Sequence, residues 1–196
     1  VLDIATQHLH PRGGEVIPQL DYTDTTDSGG QPSVEEVELQ PPVLFWSQAT
    51  DKPGGPVALG IPLGDLNNSD FMRLQGRDDV VFENQSPSLS LLINWPGYST
   101  WRRHILLSLP EPLTRAQLVA IIATSVEHFV EARTQRPKHP SCLYFPQVMG
   151  NHKIEDTSMA HWRVGPRYIK FDDLILLGLE NVSEGTWQPH FRLLKE

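Results

Sequence analysis

The sequence predicts an α+β domain, with a mainly antiparallel sheet and one principal packed helix, preceded by an acidic N-terminal arm. Three observations support this prediction. Two apolar, alternating segments flank the turn sequence Trp-Pro-Gly-Tyr at residues 95–98. A single segment, which begins at Thr114, has the apolar spacing of a helix. The other apolar segments are short and follow one another along the chain, which is typical of antiparallel strands.

The turn at residues 95–98 predicts a β-hairpin. Proline fixes φ near the value that the second position of a tight turn needs, and glycine tolerates the positive φ of the third position in type II. Leu89, Leu91 and Ile93 before the turn, and Trp101 and Ile105 after it, recur with a period of two. Each set therefore lies on one face of a strand, which predicts a hairpin with a half-buried face.

Arg103 is the exception in this pattern, because the period places it on the apolar face of the second strand. A short helical turn at residues 99–102, or a β-bulge, would move its side chain off that face.

The principal helix is predicted at about residues 114–132. Thr114 and Gln117 have the spacing of a capping box, in which each side chain bonds to a backbone N–H that the helix leaves unpaired. Leu113 and Leu118 stand where a hydrophobic staple would fix the entry of the chain. Apolar residues then recur at helical spacing until Pro137, which predicts a helix packed on the sheet.

The remaining chain divides into an arm at residues 1–40 and a single domain at residues 41–196. The arm is predicted to be extended and partly mobile, with a short strand near residues 34–39. In the domain, strands are predicted at residues 43–46, 57–61, 80–82, 167–171, 174–177 and 187–193, with a turn at residues 181–185.

Charge and cysteine content limit the functional class. The chain has 196 residues and a net charge of −8, and residues 1–40 alone carry eight acidic residues against Arg12. The body is therefore nearly neutral, which disfavours a general affinity for nucleic acid. The apolar runs are too short to span a bilayer. A single cysteine, Cys142, favours a reducing compartment, so an intracellular protein, cytoplasmic or nuclear, is predicted.

Two groups of residues are candidates for a site. His152, Asp156, His161 and Asp172 carry imidazole and carboxylate groups that a hydrolase uses for proton transfer. Their spacing fits neither a helical histidine pair nor a zinc finger, so no metal site and no cofactor are predicted.

Trp101, Arg102 and Arg103 are the candidate binding residues, because aromatic and basic side chains together suit a single-stranded nucleic acid. Arg102 is equally suited to hold the acidic arm.

Five tryptophans are many for a chain of this length: Trp46, Trp95, Trp101, Trp162 and Trp187. Their positions in or beside predicted strands favour core packing. Two or three of them on one open surface would instead indicate a binding surface.

Four sequence blocks carry a family resemblance: GRDD at residues 76–79, WPGY at 95–98 with Trp101, WRVG at 162–165, and SEGTWQP at 183–189. Together they resemble blocks in a family of uncharacterised proteins from mushroom-forming fungi. The similarity covers about residues 42–194. The resemblance implies a fungal source and a domain that excludes the arm, and it implies no activity.

The predicted function is that of a non-enzymatic intracellular binding or interaction module, with another protein as its partner. The sequence contains aromatic and turn-rich blocks, and no phosphate-binding loop or nucleophile motif accompanies them. The alternative is a hydrolase that uses histidine and carboxylate groups of residues 139–173. A pocket that gathers three of these groups would favour the hydrolase. Oligomeric state is left open.

Overall fold

The computed structural model describes residues 13–19, 39–48, 55–64, 73–82, 88–107, 112–134 and 154–194. The predicted arm lies largely outside these ranges, and so does the predicted strand near residues 34–39 except for Leu39. Within the described ranges, the fold is α+β, as predicted, with one principal helix and a mainly antiparallel sheet.

The strands are β1 (Gly13–Val16), β2 (Val43–Leu44), β3 (Trp46–Gln48), β4 (Val57–Leu59), β5 (Ile61–Pro62), β6 (Ser88–Ile93), β7 (Trp101–Leu106), β8 (Leu174–Ser183) and β9 (Thr186–Leu194). The principal helix is α1 (Arg115–Thr134). Two 3-10 helices, Thr157–Trp162 and Phe171–Asp173, complete the described elements.

Seven strands form one sheet in the order β2-β8-β9-β6-β7, with β5 also paired to β8 and β1 also paired to β9. Every pair is antiparallel except β6 and β9, which run parallel. The long β8–β9 hairpin is the centre of this sheet. Strand β1 belongs to the segment assigned to the arm, and it extends the sheet beside β9, with Ile17 buried.

Strands β2 and β5 both pair with the same edge of β8, and the chain between these two strands turns away from that edge. Phe45 N donates to Leu177 O at 3.0 Å and Leu63 N donates to Leu174 O at 2.8 Å, so both segments follow β8. Between them, β3 and β4 form a separate two-stranded hairpin, which Gly60 N closes by donating to Phe45 O at 2.8 Å. The predicted strands at residues 43–46 and 57–61 are therefore each divided in two.

The β6–β7 hairpin confirms the predicted turn. Gly97 has φ +79°, as the third position of a type II turn requires, and Tyr98 N donates to Trp95 O at 3.1 Å. The six cross-strand pairs, from Ser88↔Leu106 to Ile93↔Trp101, continue without a bulge.

Arg103 therefore stays on the face where the alternation placed it, and the bulge that would have moved it is absent. Its side chain is accommodated there by polar partners on the helix: Arg103 Nη1 lies 2.9 Å from His128 Nδ1 and donates to Ser125 Oγ at 3.3 Å.

The helix begins as its sequence predicts. Thr114 N donates to Gln117 Oε1 at 2.8 Å, and Gln117 N donates to Thr114 Oγ1 at 3.3 Å, which completes the capping box. The apolar stripe of α1 packs on the sheet, where the Phe129 ring lies 5.7 Å from the Trp95 ring. We call this side of the sheet the helix face; it carries Leu89, Leu91, Ile93, Trp187 and Phe191.

The opposite side carries the alternate residues, and we call it the polar face. On β8 it carries Ile175 and Leu177, which form a second apolar cluster with Leu59. Elsewhere its side chains form three hydrogen-bonded groups. Ser90 Oγ lies 3.1 Å from His104 Nδ1. Asn94 Nδ2 donates to Gln188 Oε1 at 3.1 Å. His190 Nε2 lies 2.7 Å from Glu180 Oε2. Because Ser90, Leu92 and Asn94 are buried, β6 is covered on both faces, and the predicted half-buried face is wrong for this strand.

Two further predictions are corrected. The strand predicted at residues 167–171 is absent: these residues form a turn with a single bridge, Val164↔Ile169, and enter the 3-10 helix Phe171–Asp173. The strand predicted at residues 174–177 continues to Ser183, because β9 pairs with it over its whole length.

Candidate functional site

A cavity of about 730 Å³ opens between strand β2, residues 75–82 and the first residue of α1. Its lining residues are Gln40, Pro41, Pro42, Val43, Leu44, Trp46, Gln75, Gly76, Asp79, Val81, Phe82, Arg115 and Trp187. This volume lies within the range of about 300–1,000 Å³ that is usual for ligand pockets. Aromatic, proline and aliphatic side chains form most of its wall.

Strand β2 and the residues before it form the first wall. Val43 and Leu44 pair with Leu179 and Gly178 of β8, which fixes the strand at the sheet edge. Gln40 N donates to Asn181 Oδ1 at 3.0 Å, so the chain is also held just before the two prolines at positions 41 and 42. A proline has no backbone N–H, and this wall therefore offers mainly apolar surface.

Residues 75–82 form the second wall. Gln75 N donates to Trp46 O at 2.8 Å, which ties this segment to β3. The turn that follows needs glycine at position 76, because φ there is +57° and a Cβ would collide with the Asp79 carboxylate. Asp79 N closes the turn by donating to Gly76 O at 2.9 Å.

Phe82 ends this wall in an unusual conformation. Its φ is +63°, and it is the only residue other than glycine with a positive φ in the described part of the chain. Such a conformation costs on the order of 1–3 kcal/mol and is concentrated at functional sites. The Phe82 ring lies 4.8 Å from the ring of Trp187, a buried residue of β9, so this conformation places an aromatic pair in the cavity wall.

Arg115 closes the end of the cavity. Its Nη1 donates to Leu44 O at 3.0 Å, and its Nη2 lies 3.7 Å from Asp79 Oδ2. The Arg115 side chain is 23% exposed and that of Asp79 is 62% exposed. The Nε–H of Arg115 is buried and has no hydrogen-bond partner among the described residues. The two charges balance, so the cavity favours a neutral occupant.

The N-terminus of α1 does not add an anion site to this cavity. Arg115 N donates to Asp79 O and Ala116 N to Arg77 O, both at 2.9 Å, and Gln117 N bonds to the Thr114 side chain. These N–H groups, which bind anions at other helix N-termini, already have partners.

The predicted binding residues lie on β7, away from the cavity lining. Trp101 and Arg103 are half-buried and face α1, where the Trp101 ring lies 6.1 Å from the Phe129 ring. Arg102 points to the polar face and is exposed. The alternation of the strand therefore divides these three side chains between two faces, and they do not form one aromatic and basic patch.

Of the predicted catalytic residues, the three that the structure describes do not line the cavity. His152 lies outside the described residues. Asp156 is an N-cap: its Oδ1 accepts from Ser158 Oγ at 2.7 Å and from Ser158 N at 2.9 Å. The hydrogen bonds from the Ser158 side chain and backbone lower the pKa of Asp156, so this carboxylate is ionised at neutral pH and is a weak base.

His161 and Asp172 are exposed, on different 3-10 helices. No hydrogen bond or ion pair joins either of them to Asp156. Within the ranges that the structure describes, no group of three His, Cys, Asp or Glu side chains is arranged to hold a metal ion. The hydrolase hypothesis therefore gains no support from these positions.

Most of the cavity lies outside the site residues that the sequence predicted. Trp46 and Trp187 were expected in the core, and Asp79 and Arg115 were not among the candidate site residues. One local signal was available: a cation at the first position of a helix is disfavoured by the helix dipole, and it therefore requires a partner. Asp79 is that partner.

Compared with protein-family models, with characterised proteins and with solved structures, the chain matches none. The functional argument therefore depends on the geometry alone.

Proposed function

We propose that this protein is a non-enzymatic binding module, and that the cavity holds apolar side chains of a partner protein. The observation that carries the proposal is the composition of the cavity wall. Aromatic, proline and aliphatic residues are eight of the thirteen described residues that line a volume of about 730 Å³. Pockets of this kind receive the few aromatic or aliphatic anchors that supply most of the affinity of a protein interface.

The strained conformation of Phe82 supports the same proposal. A positive φ at a bulky residue persists only where the surrounding contacts compensate its cost. Here, Val81 N donates to Leu113 O at 2.8 Å, and the Phe82 ring packs against Trp187. Trp187 is already buried, whereas Phe82 is half-buried, so an apolar occupant would bury more of the Phe82 ring.

The charges in the cavity wall support a neutral occupant. Asp79 and Arg115 offset each other, so this end of the cavity presents no net charge to the partner. A charged ligand would lose its hydration when it enters the cavity, and the wall has no net charge that would compensate for this cost.

The lining chemistry favours binding over the hydrolase alternative. The described residues that line the cavity include no histidine, cysteine, serine or threonine. Nucleophilic catalysis requires a nucleophile beside a base, and Asp79, which pairs with Arg115, is the one carboxylate among the described lining residues.

We also propose that the module acts inside the cell. The single cysteine supports a reducing compartment. Separately, none of the helices in the described ranges is long and apolar enough to cross a membrane.

The test is the selection of random displayed peptides on the full chain, followed by anisotropy measurements with a fluorescent copy of the enriched sequence. Gln75→Trp places an indole at the cavity mouth, since Gln75 is an exposed lining residue. Thr124→Trp adds the same ring at an exposed position of α1 and serves as the matched control. We expect peptides rich in aromatic and aliphatic residues, about tenfold weaker binding to Gln75→Trp, and unchanged binding to Thr124→Trp.

Failure to enrich any peptide, or equal affinity for the wild type and Gln75→Trp, would overturn the proposal. The thermal unfolding midpoint of each variant shows whether the added ring has disturbed the fold.

A further inference from the structure

Strand β7 ends the sheet, and its outer edge has no strand beside it in the described part of the chain. In the order β2-β8-β9-β6-β7, the only neighbour of β7 is β6. The pairing with β6 covers all six residues of Trp101–Leu106 without a register shift. The backbone of β7 is therefore regular along its whole length, including the edge that faces away from β6.

The hydrogen bonds of β6 show which backbone groups stand at this outer edge. Ser90 N donates to Gly185 O at 2.8 Å, so the backbone of Ser90 is directed towards β9. Successive residues of a strand direct their N–H and C=O groups to opposite sides, and Leu89 and Leu91 therefore bond to β7. On β7, Ile105 and Arg103 are their partners.

The alternate residues Arg102, His104 and Leu106 consequently direct their N–H and C=O groups away from the sheet. Their side chains are exposed, and Leu106 is 77% exposed. Trp101, Arg103 and Ile105 on the helix face are only half-buried, whereas five of the six residues of β6 are buried.

Three of the usual protections of a sheet edge are missing here, whereas a fourth, charged side chains, is present as Arg102 and Arg103 and restricts which strands can pair. Edge strands are commonly interrupted by proline, twisted away by a bulge, or kept very short. Strand β7 contains no proline or glycine, has no bulge and is six residues long. An edge of this kind is a template for an added strand.

The charges of β7 select the partner. Arg102 and Arg103 are the charged residues of the strand, and no acidic residue lies between Trp101 and Leu107. A second copy of β7 would bring like charges together, which destabilises strand pairing. An acidic segment would instead place a carboxylate beside the exposed guanidinium group of Arg102 on the polar face, whereas Arg103 lies on the helix face and contacts α1.

We propose that β7 binds an extended segment of a partner protein as an additional strand of the sheet. Alternate residues of that segment are apolar and lie beside Trp101 and Ile105 on the helix face. The residues between them are acidic and lie beside Arg102 on the polar face. This inference does not depend on the cavity, and it stands or fails separately from the function proposed above.

The test is amide hydrogen exchange of the full chain with a short synthetic peptide of alternating glutamate and valine. A peptide of alternating lysine and valine is the matched control. At about ten times its Kd, a bound strand slows the exchange of the Arg102, His104 and Leu106 amides about tenfold. We expect this protection from the acidic peptide alone, with an affinity that falls as salt is added.

Two variants sharpen the result. Arg102→Glu should abolish binding of the acidic peptide and permit binding of the basic peptide, while Arg167→Glu makes the same charge change at an exposed position of a distant turn and should have no effect. His104→Pro removes an outward N–H without breaking a bond to β6, and it should prevent binding of both peptides.

Three outcomes would overturn the inference. The first is that the three amides already exchange slowly in the free protein. The second is that the two peptides bind equally. The third is a dimer joined through β7, detected by sedimentation of the wild type and lost in His104→Pro, because the edge would then belong to a second copy.

Discussion

The helix face and the polar face of the sheet belong to the same strands, yet different interactions hold them. On the helix face, Trp95, Phe129 and Phe191 pack ring against ring, with centroid separations of 5.7 and 6.2 Å from Trp95. On the polar face, side chains of neighbouring strands meet in specific hydrogen bonds, such as the one from Asn94 to Gln188.

The difference shows that the helix face supplies most of the stability of the fold, whereas the polar face fixes the register of the strands. Burial of apolar area is non-directional and contributes about 25 cal/mol per Å², so the helix face provides most of the favourable free energy of folding. A buried hydrogen bond contributes only about 1 kcal/mol net, but it is costly to leave unmade. A shift in strand register would separate these hydrogen-bond partners, so the polar face stabilises the observed register.

The largest effect is expected from Leu91→Ala on the helix face. Leu91 is fully buried against α1, and its truncation leaves a cavity, so the free energy of unfolding should fall by about 2–5 kcal/mol. Urea denaturation measures this loss. Ile105→Ala removes a half-buried side chain from the same face of β7 and is the matched control, with a smaller loss. Equal losses would contradict the contrast between β6 and β7.

A smaller effect is expected from Gln188→Leu on the polar face. Asn94 Nδ2 then loses this acceptor in a buried position, at a cost of about 1–3 kcal/mol. The double variant Asn94→Leu/Gln188→Leu should lose less than the sum of the two single variants, because neither partner remains to be satisfied. Additive losses would show that the two amides do not depend on each other.

The smallest effect is a pH dependence that belongs to the polar face. Burial lowers the pKa of His190, although the adjacent Glu180 carboxylate opposes this shift. The unfolded chain therefore binds more protons than the folded chain as the pH falls below 6.5, the ordinary value. The free energy of unfolding therefore decreases as the pH falls below 6.5, whereas above this pH the stabilising contribution of neutral His190 is fully present.

Urea midpoints at about pH 7.5 and about pH 5.5 test this dependence. The decrease should be smaller in His190→Gln than in the wild type. His161→Gln, which removes an exposed imidazole, should keep the decrease of the wild type. An unchanged pH dependence in His190→Gln would assign the effect to other groups.

The elements that the sequence predicted well are those whose cause is local. The capping box of Thr114 and Gln117 needs residues only three positions apart, and the turn at residues 95–98 needs only a proline and a glycine in sequence. The apolar spacing after Thr114 likewise identifies α1 and the face that it buries.

The elements that it predicted poorly have distant causes. Strand β6 pairs in parallel with β9 and is buried on both faces, and the sequence of residues 88–93 does not indicate either feature. The strand predicted at residues 167–171 has adequate apolar residues, but the fold offers it only a single bridge. The cavity joins Pro41, Phe82, Arg115 and Trp187, which are separated by tens of residues along the chain.

By itself, the sequence determined the class of the fold, the helix with its cap, the central hairpin and the uneven distribution of charge. These properties follow from side-chain periodicity and backbone preferences, which act over a few residues. The tertiary structure alone decided which strand lies at the edge of the sheet, which side chains surround the cavity, and on which face each candidate residue stands. Those properties depend on long-range pairing, because the energy of a contact is set by the residue on the other side of it.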